Sequence, residues 1–176
     1  KVIVHMQDLR TPKRNGVLYF KVDDTVRELN EACDAFYGFP SHELEVFGVT
    51  GTNGKSTITS IISQIYSSRK LCGYVGTISI RLGAVTKEAE LTTPDTVTLH
   101  KSLKEMADEG AKAVAIEISS QGLSRGRVQS IDFDYAIFTN LTQDHLDYHR
   151  TMEDYFEAKQ ILFKNLKPGA LAILNR

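Results

Sequence analysis

Val49-Thr50-Gly51-Thr52-Asn53-Gly54-Lys55-Ser56 is the stretch whose reading decides the fold of this chain. Before it, Glu45 to Thr50 has strand character. After it, Ile58, Ile61, Ile62 and Ile65 recur at i, i+3, i+4 and i+7, which marks one helix face. A glycine-rich turn ending in Gly-Lys-Ser between strand and helix is the setting in which a phosphate loop works. The glycines let backbone N–H groups turn inward around phosphate oxygens. The following helix aims its positive end at the anion. Lys55 can then reach the outer phosphates, and the Ser56 hydroxyl can take a magnesium ion. The strict motif has glycine at position 49, where this chain has Val49, with Gly48 next to it. The plainer alternative is an ordinary glycine-rich βα turn; the strand-to-helix junction favours phosphate binding.

On both sides of this turn, short β-type runs alternate with helical periods. That order predicts an α/β domain with a mostly parallel sheet flanked by helices. Residues 1–22 carry two short β-like runs around the turn-rich Thr11-Pro-Lys-Arg-Asn-Gly16, and they read as the remnant of a preceding domain. Residues 23–176 then form part of one domain. Asp23, Asp24 and Thr25 offer N-caps for a helix carrying Val26, Leu29, Cys33 and Phe36, stopped by Gly38 and Pro40. One strand is expected near Gly73–Ile80, a helix from Thr92-Thr-Pro-Asp-Thr96 to about Gly110, and buried strands at Ala113–Ile118 and Tyr135–Phe138. A last helix spans about Met152–Leu166 and a last strand about Leu171–Leu174. Three strands therefore run into polar clusters: 49–56, 117–121 and 139–145. Ligands of an open parallel sheet sit at the carboxyl ends of its strands, so these clusters should meet in one crevice.

Bulk properties narrow the function. A formal net charge of -1 gives no basic field for nucleic acid or an anionic membrane. No apolar stretch approaches the roughly 18 residues of a membrane span, and no signal peptide is visible. Cys33 and Cys72 make no CxxC pair, which suits a reducing compartment, with the protein expected in the cytoplasm as a monomer. Both ends look cut.

Two positions break their local pattern. Glu117 interrupts an apolar strand; it either partners a cation such as that of a bound magnesium nucleotide, or points outward into solvent. Lys159 lies at offset 7 from Met152, among Met152, Tyr155, Phe156, Leu162, Phe163 and Leu166, an apolar helix stripe where a solvated lysine does not belong. Such a lysine snorkels, pairs or shifts its pKa, and the pattern alone favours a snorkelling stem. Asp144-His145-Leu-Asp147-Tyr-His149 has histidines at i, i+4, but Leu146 replaces the glutamate of the zinc-protease motif. The plain reading there is a capping loop, with Asp144 as cap and the histidines bonded to backbone.

Taken together, Gly48–Ser56, Thr92-Thr-Pro94, Glu117-Ile-Ser-Ser120, Phe138–His149, Thr151–Tyr155 and Ala158–Phe163 resemble the Mur ligases, and most closely the branch that makes the cell-wall tripeptide. The resemblance runs from about Val22 to the end. It implies a P-loop NTPase-like Mur ligase central domain, with residues 1–22 as the tail of a UDP-binding domain and the amino-acid-binding domain absent. It implies that Gly51, Thr52, Asn53, Gly54, Lys55, Ser56 and Thr57 hold ATP, that Ser56, Glu117, His145 and Lys159 serve Mg2+, and that Lys55, His145 and Lys159 act in catalysis. Lys159 matches a family lysine carbamylated by CO2, a modification that explains an inward lysine and displaces the snorkelling reading. Thr92, Thr93, Ser119, Arg125 and Arg127 fall where the family contacts its UDP-N-acetylmuramoyl-dipeptide substrate.

The implied reaction activates the dipeptide carboxylate as an acyl phosphate and joins it to the amine of L-lysine or meso-diaminopimelate. Gln121 and Arg150 depart from the family's usual His and Gly, and Ser56 replaces the commoner Thr. The chain alone is expected to bind nucleotide weakly and not to complete the ligation. The alternatives are a cyanophycin synthetase or folylpolyglutamate synthase-like ligase, a P-loop kinase or NTPase, and a non-catalytic nucleotide-binding module.

Overall fold

The computed structural model describes residues 1–8 and 14–175; Thr11–Lys13 of the turn-rich stretch therefore lie outside the described residues. Strands β1 (Val2–His5) and β2 (Leu18–Lys21) pair in parallel as a separate two-stranded sheet. Seven further strands form the main sheet: β3 (Glu45–Thr50), β4 (Cys72–Val75), β5 (Ser79–Leu82), β6 (Val85–Glu88), β7 (Ala113–Glu117), β8 (Phe133–Phe138) and β9 (Leu166–Leu174). Their order is β6-β5-β4-β7-β3-β8-β9. The five from β4 to β9 run parallel, while β5 and β6 run antiparallel at one edge. The expected strand at Gly73–Ile80 is thus two strands of a hairpin. The chain turns at Gly76–Ile78, where Gly76 N–H donates to the Ser79 carbonyl at 3.1 Å.

The helices are α1 (Thr25–Tyr37), α2 (Pro40–Glu43), α3 (Lys55–Ser67), α4 (Thr96–Asp108), α5 (Ser120–Ser124), α6 (Leu146–His149) and α7 (Met152–Lys164). Side-chain oxygens set where three of the four long helices begin. Asp24 accepts from Val26 and Arg27 N–H, Asp95 from Thr98 N–H, and Thr151 from Asp154 N–H. The main core lies between one sheet face and α4 and α7. Leu99, Leu103, Met106 and Leu162 meet Val46, Val114, Ile116 and Phe133 there, all of them buried. Glycines allow this close approach, since a Cβ at Gly73 would collide with Met106 and one at Gly48 with Phe133 and Leu162.

Helix α3 covers the other face, against β3, β4 and β7. Its buried residues are Thr59 and Ser63, while Ile61 and Ile65 are exposed. The isoleucine stripe marks the helix correctly but not its buried face; the small side chains let α3 lie close to the sheet. Helix α1 behaves similarly. Of Val26, Leu29, Cys33 and Phe36 only Cys33 is buried, and Phe36 is 82% exposed. The inward side carries Asn30 instead, whose amide donates to the carbonyls of Val26 and Gly126 at 2.9 Å.

Register aligns the strand ends that matter. Val49 pairs with Glu117 on one side and with Ile137 on the other. The carboxyl ends of β3, β7 and β8 are therefore level, and the loops that leave them rise together at the point where the connections diverge.

Candidate functional site

The phosphate-type loop is shaped by two glycines and stapled from β8. Gly51 has φ +145° and Gly54 has φ +83°, conformations that side chains resist. A Cβ on Gly51 would also overlap the Thr139 hydroxyl. Thr139 Oγ1 donates to the Asn53 carbonyl at 2.7 Å, Asn140 Oδ1 accepts from Asn53 N–H at 2.9 Å, and Thr52 N–H donates to the Asn140 carbonyl at 2.9 Å. Gly54 has no side chain to cap α3, so the first-turn N–H groups face outward with the helix's positive end. This is an anion seat by construction. Lys55 folds over it, its Nζ donating to the carbonyls of Gly51 and Thr52 at 3.0 and 2.8 Å. Burial holds the Lys55 ammonium below the ordinary lysine range, with Glu117 and Asp144 pulling the other way.

Glu117, at the end of β7, is fully buried, which removes the solvated alternative. Its carboxylate accepts from the hydroxyls of Ser56 at 2.8 Å, Tyr74 at 2.5 Å and Thr77 at 3.1 Å, and from Thr77 N–H at 3.2 Å. The Tyr74 phenol is pushed up by burial and then by this hydrogen bond to Glu117.

Lys159, on α7, is 1% exposed, so it does not snorkel. Its Nζ donates to the Gly51 carbonyl at 2.8 Å and stands 4.2 Å over the centre of the Tyr155 ring. Burial, reinforced by the neighbouring Lys55 charge, lowers it to about 7. An amine with that pKa is substantially neutral, and hence nucleophilic, near pH 7.

His145 has φ +51° and begins α6, so this residue and not Asp144 takes the N-cap position. Asp144 instead accepts from His145 N–H. His149 is buried and bonds through Nε2 to Ser120 Oγ at 2.8 Å, a side chain and not the backbone expected.

These groups share one cleft of about 260 Å³. Thr52, Asn53, Gly54, Lys55 and Ser56 line it from the loop, Glu117, Ser119 and Ser120 from β7 onward, and His145, Tyr155 and Lys159 from the last third of the chain. Thr92 and Thr77 close another side. Five predicted residues stand outside the lining, Gly51 at the base of the loop among them. Thr57 is exposed on α3. Thr93 is buried behind the wall, donating to the Glu117 carbonyl at 2.9 Å and accepting from Ser119 N–H at 2.8 Å. Arg127 donates to the Thr93 carbonyl at 2.8 Å, and Arg125 lies over the Tyr148 ring. Sequence reading missed Tyr74 and Thr77, hidden in the unrecognised hairpin, and Tyr155, counted only as an apolar stripe residue. Among the described residues no helix is long and apolar enough to cross a membrane.

Residues 49–176 match the family profile described as the Mur ligase middle domain. The chain is 51% identical over 146 residues to the UDP-N-acetylmuramoyl-L-alanyl-D-glutamate–2,6-diaminopimelate ligase of Geobacillus kaustophilus, covering 82% of this chain and 30% of that protein. It is 46% identical over 170 residues to the corresponding L-lysine ligase of Staphylococcus haemolyticus, covering 94% of this chain and 33% of that one. A solved structure of a UDP-N-acetylmuramoyl-L-alanyl-D-glutamate–2,6-diaminopimelate ligase superposes with a TM-score of 0.75 at 32% identity, over 93% of this chain and 34% of the other. The chain thus spans about a third of the length of these relatives.

Proposed function

Because this chain belongs to the Mur ligase family, we propose that its cleft binds the triphosphate of ATP with Mg2+ and that the protein it forms part of is a UDP-N-acetylmuramoyl-tripeptide synthetase. The observation that carries the reading is convergence: Lys55, Ser56, Glu117, His145 and Lys159, from four separate segments, line one cleft. The donor set fits the ion. A carboxylate and a hydroxyl are hard oxygen ligands, and few protein ligands suit a cation that keeps waters and takes phosphate oxygens. When bound, Mg2+ neutralises charge on the transferring phosphoryl group.

The chain's own residues do the rest. The loop from Gly51 to Ser56, with Thr57 behind it, cradles the phosphates, and Lys55 turns from the loop carbonyls towards them. Ser56 and Glu117 hold the ion, with His145 beside them. Thr92, Ser119 and Arg125 orient the UDP-linked dipeptide so that its terminal carboxylate oxygen meets the γ-phosphorus in line, while buried Thr93, bonded to Ser119 and held by Arg127, shores up that wall from behind. ADP leaves and an acyl phosphate remains. The amine of L-lysine or meso-diaminopimelate then attacks the acyl carbon, forming the amide as phosphate departs. Residues 1–22 belong, in this reading, to the end of the UDP-binding domain.

Lys159 serves as a carbamate. Its neutral Nζ attacks the carbon of CO2, loses a proton to water and becomes a carboxylate-like ligand. Burial of the side chain and its lowered pKa favour that reaction.

The test uses the intact protein with ATP, the UDP-linked dipeptide and either amino acid, following ADP and tripeptide together. ADP should form in repeated turnover only with the dipeptide and one of the two amino acids present. Lys55→Met and Glu117→Gln should each lower kcat/KM at least about 100-fold. Undiminished turnover in both variants would overturn the assignment.

A further inference from the structure

The two carboxylate oxygens of Glu117 are held in different ways. Oε1 accepts from the Tyr74 phenol at 2.5 Å and from Thr77 N–H at 3.2 Å. Tyr74 is 2% exposed, so its hydroxyl has no water to turn to, and the backbone amide is fixed. Freeing Oε1 would leave these donors unpaired. Among the described residues Oε2 accepts only from hydroxyls, those of Ser56 at 2.8 Å and Thr77 at 3.1 Å. These can rotate away. Thr77 Oγ1 lies 3.0 Å from Thr92 Oγ1, a second acceptor for its single proton, and Ser56 faces the cleft. Oε2 can be released without stranding a buried donor.

From this asymmetry we infer that Tyr74 is a positioning residue: it pins Oε1 so that Glu117 presents Oε2 to a divalent cation in the cleft, and Arg81 steadies Tyr74 from behind. The inference rests on the reading of Glu117 as a metal ligand. Tyr74 and Arg81 are partners across the β4–β5 hairpin, and the Arg81 guanidinium carbon sits 4.2 Å from the centre of the Tyr74 ring. A cation over the ring face anchors the ring and draws electron density from it, which makes the phenol a better donor. Among the described residues Arg81 Nε is buried without a hydrogen-bond partner. Gly76 keeps the joint open, since a Cβ there would collide with both Glu117 Oε1 and the Tyr74 hydroxyl. The edge hairpin is thereby tied to the orientation of the carboxylate.

Mn2+ titration followed by electron paramagnetic resonance, on the intact protein with a non-hydrolysable ATP analogue, tests this. Affinity for the same analogue without metal, in EDTA, is measured alongside. Tyr74→Phe should weaken Mn2+ binding about 10-fold. Arg81→Met should weaken it about 3-fold while Arg81→Lys stays near wild type. Metal-free analogue affinity should hold throughout. If Glu117→Gln weakens Mn2+ binding and Tyr74→Phe does not, the role of Tyr74 is overturned while the ligand reading stands. If Glu117→Gln has no effect, the ligand reading fails and takes this inference with it. Equal loss of metal-dependent and metal-free binding in Tyr74→Phe would mark a merely structural part and also overturn it.

Discussion

At the scale of single residues, the site is a problem of placing like charges. Lys55 and Lys159 both donate to the Gly51 carbonyl, and the Lys55 charge adds to burial in lowering Lys159. Glu117 and Asp144 pull Lys55 the other way, and Asp144 does so for Lys159. A carbamate on Lys159 would convert repulsion into attraction. The expected outcome is a carbamate carbonyl signal when the protein is equilibrated with 13C-labelled bicarbonate, seen by NMR near pH 8. Lys159→Met should lack it, and a wild-type protein without the signal would remove the modification from the mechanism. The sequence exposed this residue because a lysine in an apolar stripe is an anomaly. Tyr74 and Tyr155 raised none, because tyrosine suits a buried strand or helix face, and only coordinates reveal where its hydroxyl points.

At the scale of elements, the extents of the long helices were legible, and the buried face was legible for α7 but not for α1 or α3. Caps are local chemistry, so Asp24 announces α1 from the sequence, and the structure shows Asp95 and Thr151 doing the same work at α4 and α7. Which stripe is covered depends on what lies beyond the helix. That is why Ile61 and Ile65 of α3 are open while Thr59 and Ser63 are buried. The β4–β5 hairpin stayed hidden because Gly76-Thr77-Ile78 carries no proline or asparagine and continues the apolar character of its neighbours. The cap on α7 matters most for the site, since Tyr155 and Lys159 lie one and two turns further on. Thr151→Ala should cost about 1 kcal/mol of stability in urea denaturation. Nucleotide affinity should fall modestly, because fraying reaches Tyr155, whose hydroxyl is 3.2 Å from Thr52 Oγ1. No change in either measurement would mean that packing alone fixes this end of the helix.

At the scale of the whole molecule, the buried amine links stability to pH. Folding lowers Lys159 from 10.5 to about 7, so between those values the unfolded chain binds a proton that the folded protein does not. Stability must then rise with pH through this window, at up to about 1.4 kcal/mol per unit for one group. Between pH 7 and pH 9 the gain should be about 2 kcal/mol, measured by urea denaturation in buffer purged of CO2. Lys55, lowered by its own burial, adds to the slope in the same direction, and His149, also lowered by burial, does so at more acid pH. Above about pH 10, where the Lys159 contribution fades, the trend reverses. Burial pushes the Cys72 thiol up to about 11, and the bond to Glu45 pushes the Tyr66 phenol up to about 12, so there the folded protein retains protons that the unfolded chain releases. Lys159→Met should remove most of the rise between pH 7 and pH 9 while leaving the alkaline fall in place. A variant that keeps the full slope would show that Lys159 titrates normally, and that its inward position has no consequence for the charge it carries.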